Sequence, residues 1–345
     1  MIKKVNKLQT LSQADLTTLD EHEFGQVVEP HRRELLAHCY RMLGSVHDAE
    51  DTVQETLLRA WRRRESYEGR ASFRAWLYKI ATNLCLDALD QRPRRMIPIT
   101  RQGVSSPDEP IPASIMEPIW LEPFPDDLLA SDDDNPEIYL STRENITVAF
   151  MAALHLLPPR QRAVLILRDV LEWQASEVAS LLDLSVSAVK SALHRARTTL
   201  ATRYPAGSTE AISPHVLDES TQTQLEQYVS AWETADIDGL LALLKEEATF
   251  SMPPIPSWYS GRDNIGKLVS KTIFSGKANG RWRLAPTRAN GQIAFGLYQR
   301  DPENQVYSAY GIQVLTMTNG QIADILTFRK PSLVAYFKLP MTLRI

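Results

Sequence analysis

Between Leu184 and Arg203, Ser187, Lys190, Ser191, His194, Arg195 and Arg197 recur at helical spacing with no acid among them. Val189, Leu193, Ala196 and Leu200 fall on the opposite stripe, so one face can be buried while the other meets anions. A shorter helical pattern, Gln174 to Leu182 with Val178, Ala179 and Leu182 inward, comes before it. Asp183-Leu184-Ser185 makes the turn between them, with Ser185 as the N-cap of the second helix. This pattern is a helix-turn-helix whose second helix suits the major groove of DNA. Ser187, Lys190 and Ser191 come early enough to reach base edges, whereas Arg195, Arg197 and Arg203 suit phosphates. The competing reading is a basic solvated helix in an ordinary bundle; the charge segregation favours nucleic acid.

A second constellation spans Tyr67 to Arg95. Tyr67, Phe73, Trp76 and Tyr78 are interleaved with Arg70, Arg74, Lys79, Arg92, Arg94 and Arg95. Aromatic faces can hold unstacked bases while cations hold the backbone, each stacked base contributing roughly 1–3 kcal/mol. Phe73, Trp76 and Leu77 also fit a helix core, and for these three the core reading is preferred. A third constellation is acidic: Asp48, Glu50, Asp51, Gln54 and Glu55 share a helix face within Val46 to Trp61. Charged faces are usually only solvated. On a DNA-binding chain such a face would repel phosphate, so it points to a basic protein partner.

The elements that must position these groups divide the chain into parts. Residues 1–20 read as a polar tail or short helix. Residues 21–95 are helix-dense, with Gly44 breaking one run and Asp48 starting the next. In 96–141 the acids Asp108, Glu109, Glu117, Glu122, Asp126, Asp127, Asp132, Asp133, Asp134 and Glu137 face only Arg101. Prolines recur through the same stretch and no periodicity survives, so it reads as a long acidic linker. Residues 142–203 are helical again, and 204–220 form a shorter linker. From 221 to 345 the pattern is α+β: helices at 225–232, 238–245 and 262–273, strands at 248–252, 282–288, 292–299, 306–316 and 321–327, and a closing helix at 333–337.

The chain has 345 residues and a net charge of −4, so any nucleic-acid surface must be a local patch. Its two cysteines, Cys39 and Cys85, belong to no metal-binding cluster and read as small core hydrophobes. No cofactor or metal is implied. The longest apolar run, Val148 to Leu157, is too short to span a bilayer, and no signal core follows the N-terminal lysines. A cytoplasmic protein away from membranes is expected.

HDAEDTVQETLLRAW followed by G-x-x-S-F-x-x-W-L-Y-x-I-A-x-N resembles sigma-70 family factors of the extracytoplasmic-function (ECF) group. LPPRQRAVLILRDV, then W-x-x-x-E-V-A-x-L-L and V-K-S-A-L-H-R-A-R, resembles the second domain of that group. The resemblance implies two all-α domains and an RNA polymerase specificity subunit that starts transcription at promoters. It implies that Asp48, Asp51, Gln54 and Glu55 dock the clamp helices of the polymerase β′ subunit, while the second domain meets the β flap. Tyr67, Arg70, Ser72 and Asn83 would shape a pocket for a flipped base of the −10 element, with Arg92, Arg94 and Arg95 on nearby backbone. Ser187, Lys190, Ser191, His194, Arg195 and Arg197 would bind the −35 duplex. The acidic linker would thread towards the polymerase active site.

Residues 221–338 resemble the SnoaL-like branch of the NTF2-like fold, a cone of curved sheet closed by helices. The segments that carry this likeness are ATFSMPPIPSWYSGRDNI and WRLAPTRANGQIAFGLYQRDP. Phe250, Met252, Trp258, Tyr259, Trp282, Phe295 and Tyr310 are candidate lining for a small-molecule pocket. Asp263 and Asp324 are the acidic candidates for proton abstraction, but neither has a telling partner, so a regulatory rather than an enzymatic domain is expected. Two other functions compete: a helix-turn-helix repressor or activator with a ligand sensor, which leaves 46–95 unexplained, and an NTF2-like enzyme tethered to transcription.

Overall fold

The computed structural model describes residues 13–69, 71–90, 94–101, 103–115, 120–129, 146–203, 219–301, 303 and 305–345. They form two compact units. One holds 13–95, 128–129 and 153–203; the other holds 96–127, 146–152 and 219–345.

The first unit is all α. A short helix α1 (Gln13–Thr18) precedes α2 (Glu21–Val28). Asp20 starts α2 with a capping box, its Oδ1 accepting from the Glu23 amide at 2.8 Å while Glu23 accepts from the Asp20 amide at 3.1 Å. Helix α3 (Arg32–Leu43) buries Leu35, Leu36, Cys39, Tyr40, Met42 and Leu43, and ends at Gly44, whose φ of 69° closes the left-handed cap. Helix α4 (Val46–Arg62) starts two residues earlier than the acidic run suggests. Ser45 is its N-cap, leaving Asp48 in the first turn, where a carboxylate suits the helix dipole. Helix α5 (Phe73–Asp90) buries Phe73, Leu77, Tyr78, Ala81, Thr82 and Cys85 against α3 and α4. His38 on α3 meets Thr82 on α5 through Nε2 at 2.9 Å, and burial, with Arg41 and Arg74 nearby, pushes its ring down to about 3, so it stays neutral.

The remaining helices of this unit are α6 (Pro159–Leu165), a π-helical turn (Ile166–Val170), α7 (Ala175–Leu181) and α8 (Val186–Arg203). The helix-turn-helix forms where the sequence requires it. Asp183 takes φ 53°, a left-handed angle that Asp accepts better than most residues, and the Ser185 hydroxyl accepts from the Ala188 amide at 3.1 Å. Val189, Leu193 and Ala196 are buried, with Leu200 partly so.

The second unit is an α+β cone. Its sheet runs β2–β1–β6–β5–β4–β3, built from β1 (Leu244–Ser251), β2 (Trp258–Ser260), β3 (Trp282–Ala289), β4 (Gln292–Asp301), β5 (Val306–Thr318) and β6 (Gln321–Phe328). A short β7 (Thr342–Arg344) pairs with β5, and β1–β6 is the parallel pair. Asn290-Gly291 and Asn319-Gly320 turn the β3–β4 and β5–β6 hairpins with all four φ angles positive, the combination that matches strand twist. Helices α9 (Glu219–Thr234), α10 (Ile237–Ala242) and α11 (Arg262–Lys271) pack on the sheet, and α12 (Leu333–Tyr336) follows β6. Strands β2 and β7, three residues each, lie below what alternation can reveal.

The expected linker is in part a layer of this unit. Ile97, Trp120, Leu121 and Phe124 are buried, and so are the acids Glu122 and Asp126. The β3–β4 turn holds the strap. Asn290, fully buried, donates its amide to the Phe124 carbonyl at 2.9 Å, and its Oδ1 accepts from the Phe124 amide at 2.8 Å. Asp126 accepts from the Gly291 amide at 2.7 Å and faces Arg288 at 3.4 Å. The apolar side chains between the prolines outweigh the acidity that suggested a solvated linker. Residues 130–141 lie outside the described set.

Candidate nucleic-acid interface

The acidic face of α4 is presented as expected for three of its four residues. Asp51 and Gln54 are exposed, and Glu55 is paired to Arg59 across one turn at 2.6 Å. Leu58 extends the same face with 41% of its surface exposed, an apolar centre among polar neighbours. Asp48 differs. Its carboxylate holds Arg95 at 2.6 Å, and Arg95 is only 7% exposed. Arg95, expected on DNA backbone, is therefore an internal tie between α4 and the end of the first helical domain. Arg94 is exposed and donates to the Leu156 carbonyl at 3.1 Å. Arg70 and Arg92 lie outside the described residues.

The Tyr67–Ser72 loop and α5 border a cavity of about 620 Å³, with Tyr67, Gly69, Ser72, Trp76 and Lys79 on one side. Tyr67 is buried: its ring meets Phe73 at 5.9 Å and Trp76 at 5.4 Å, and its hydroxyl donates to the Ala71 carbonyl at 2.8 Å. Phe73 and Leu77 are core, as preferred from sequence, while Trp76 is half-exposed on the cavity wall. Ser72 caps α5, accepting from the Ala75 amide at 3.2 Å. Asn83 does not join this cavity. Seven residues beyond Trp76 puts it about 10 Å further along the axis, where it lines a separate cavity with Asp87, Pro158 and Arg160.

The opposite wall of the larger cavity comes from the helix-turn-helix half: Trp173, Ser176, Glu177, Ser180 and Leu181. Trp173 packs on Tyr78 at 5.1 Å, with the Arg74 guanidinium 5.6 Å from its ring, and Lys79 reaches Asp183 at 2.9 Å. Arg162, 1% exposed, donates to the carbonyls of Met42, His155 and Leu157. Burial, with Arg94 nearby, lowers its guanidinium to about 9. Glu34 ties Arg74 at 2.6 Å and accepts from Tyr78. Burial alone would raise its carboxyl, but His31 and Arg74 outweigh that and hold it low. Arg162 and Trp173 were not singled out in the sequence, where an Arg within P-P-R-Q-R and a lone Trp show no sign of burial.

On α8, Ser187, Lys190, Ser191, His194, Arg195 and Arg197 are all exposed on one face. Arg197, expected on phosphate, is clamped by Asp169 through two hydrogen bonds of 2.8 and 2.7 Å, though its side chain keeps 60% exposure. The other five carry no such restraint to an acid among the described residues.

Residues 27–95 match Sigma-70 region 2, residues 147–200 match Sigma-70, region 4, and residues 225–325 match the SnoaL-like domain. Over 324 residues the chain is 42% identical to ECF RNA polymerase sigma factor SigG of Mycobacterium tuberculosis, covering 93% of this chain and 85% of that protein. The chain belongs to the ECF RNA polymerase sigma factors. Its first unit thus holds region 2 and region 4 from residue 153 on, and its C-terminal cone is the SnoaL-like domain. SigW of Bacillus subtilis is 29% identical over 52% of this sigma factor and 88% of its own length. The crystal structure of Mycobacterium tuberculosis SigJ shares the fold, with a TM-score of 0.55, 23% identity, and coverage of 90% of this chain and 97% of that one.

The side chains expected to line a pocket of the SnoaL-like domain converge in its core. Phe250, Met252, Tyr259, Trp282 and Phe295 are buried in one core, with Tyr310 packed against it and Trp258 partly buried at the edge. Trp232 and Tyr228 of α9 join the same cluster: Trp232 meets Trp282 edge-on at 6.0 Å, and Tyr228 stacks on Phe295 at 5.8 Å. Asp263 lies in the first turn of α11. Asp324 adjoins Ile325, a core residue, and so faces the other side of the sheet, where Thr249 donates to it at 2.5 Å. Among the described residues no helix is long and apolar enough to cross a membrane.

Proposed function

We propose that Asp51, Gln54 and Glu55 on α4 dock this sigma factor on the β′ clamp helices of core RNA polymerase, and that α8 reads the −35 duplex through Ser187, Lys190, Ser191, His194 and Arg195. The cavity beside Tyr67–Ser72 receives a flipped base of the −10 element, with Trp76 as its apolar wall and Lys79 as its cation. One observation supports this reading above the others: the chain's accessible acids on α4 and its acid-free basic face on α8 sit on separate elements, so polymerase and DNA need not compete for one surface. Region 4 residues Trp173, Glu177 and Ser180 wall that cavity, so regions 2 and 4 part before a base enters. The work is done beside the polymerase in the cytoplasm, and the SnoaL-like domain tunes it without catalysing a reaction. Its hold on the strap 96–127, the segment between the two sigma regions, supports that role.

Run-off transcription with purified core enzyme and genomic promoter fragments tests this. Full-length protein should direct initiation from defined start sites, and Lys190→Ala should lose it where the −35 element is required. Failure at every promoter would refute the reading.

A further inference from the structure

Outside the core of the cone, the second unit holds a cavity of about 250 Å³ between the strap and the sheet end. Its walls are Trp120 and Leu121 from the strap, Pro253 and Pro254 after β1, Phe328 at the end of β6, and Leu333 of α12. The strap wall is fixed, since the Trp120 indole donates to the Ile115 carbonyl at 2.8 Å and the Ile115 amide donates to the Pro254 carbonyl at 2.9 Å. Glu122 and Lys330 also line it, paired to each other at 2.7 Å, so that charge is satisfied within the wall.

Arg329 lines the same cavity. Its guanidinium lies over the Tyr310 ring at 5.2 Å, and its Nε is shielded from solvent and donates to no group among the described residues. What the cavity meets is therefore the partly exposed remainder of a permanent cation that pairs with no carboxylate among the described residues, and an anionic occupant satisfies such a charge best. The volume lies just below the roughly 300–1,000 Å³ of drug-sized sites, which sets the size of the occupant.

We propose that this cavity binds a small apolar monocarboxylic acid, its carboxylate on Arg329 and its hydrocarbon body against Trp120, Phe328 and Leu333. The site lies outside the core of the cone, and it is formed only when the strap is in place. It requires neither polymerase nor DNA, so its test is independent of the promoter reading.

Isothermal titration of the full chain with 3-phenylpropionate, and with its neutral amide 3-phenylpropionamide, tests it. The acid should saturate, and the amide should bind about tenfold more weakly or worse, the range expected for one hydrogen bond to a charged group. Arg329→Gln should abolish the preference for the acid. Leu333→Trp, which fills the cavity without touching the cation, should abolish binding of both. Hydrogen exchange should slow in the 120–125 segment when the acid is bound. No saturation up to roughly 10 mM, a dissociation constant too weak to indicate a built site, would overturn the proposal. So would equal binding of acid and amide, or Leu333→Trp binding as well as the parent. Should Arg329→Gln not fold, the amide comparison and Leu333→Trp decide the question alone.

Discussion

Replacing Asp324 with asparagine tests whether the raised carboxyl of the SnoaL-like domain is a burden on the fold or a working group. Asp324 pairs in register with Thr249 of β1 and Thr316 of β5, and burial pushes its carboxyl from an ordinary 3.8 up to about 6, against the hydrogen bonds from Thr249 and the Ile325 amide. The folded chain therefore holds this proton more tightly than the unfolded chain. Below about pH 3.8 both states are protonated and the group costs nothing; above about pH 6 both are ionised and the cost is complete. Stability should fall as pH rises through that window. The difference corresponds to about 3 kcal/mol at most, and since part of the side chain meets solvent, screening brings the realised figure to about 1–2 kcal/mol. Asp324→Asn keeps an acceptor for Thr249 and removes the charge. Urea unfolding of the full chain, with hydrogen exchange of the β1 and β6 peptides to assign the transition, should show almost no gain at about pH 3 and a gain of about 1–2 kcal/mol at about pH 7.5. An equal effect at both pH values, or a loss at the higher one, would refute the reasoning and make the ionised carboxylate a group the domain needs.

Two further outcomes follow from the first unit. Arg162→Met should cost about 2–4 kcal/mol in urea unfolding, because three buried carbonyls lose their donor while the burial cost of the cation is relieved. Asp51→Lys should leave stability within about 0.5 kcal/mol, as expected for an exposed position, while weakening capture of core polymerase about tenfold or more in a pull-down.

Sequence was a good guide wherever function and fold depend on local pattern. The helix-turn-helix was legible because Ser185, the Val189–Leu193–Ala196 stripe and the acid-free outer face are all set within α8 and its turn. The strands of the cone were legible because alternation and turn residues are equally local. What escaped were partners far apart in the chain. Arg95 and Arg197 look like free cations in sequence, and each is held by a carboxylate, Asp48 or Asp169, that only folding brings near. The aromatic residues from Phe250 to Tyr310 converge in one core, and Trp232 and Tyr228 on a preceding helix pack against them. Asn83 was placed with the Tyr67–Ser72 loop by resemblance, and the helical rise carries it to a different cavity. Across 96–141 ten acids and the prolines point to a solvated linker, whereas in the strap Trp120, Leu121 and Phe124 decide the packing.

How tightly regions 2 and 4 hold each other follows from which of their contacts are shielded from water. Lys79–Asp183 is open to solvent, with 39% and 75% of the two side chains exposed, and pairs of that kind contribute about 0–1 kcal/mol. Trp173 on Tyr78, with Arg74 beside it, adds an aromatic contact of about 0.5–1.5 kcal/mol beyond its buried area. Among the described residues, Arg162 gives a deeply buried polar link to the Met42 carbonyl, and two of its three carbonyl acceptors, His155 and Leu157, lie within region 4 itself. Parting the regions therefore gives up two charge-assisted hydrogen bonds, from Arg162 to Met42 and from Arg94 to Leu156, with the Lys79–Asp183 pair and the Trp173 contact, and the cations regain water in exchange. The closed arrangement covers the cavity beside Tyr67–Ser72, and on the function proposed above the binding of core polymerase must supply more than these contacts and the apolar surface between the regions give up.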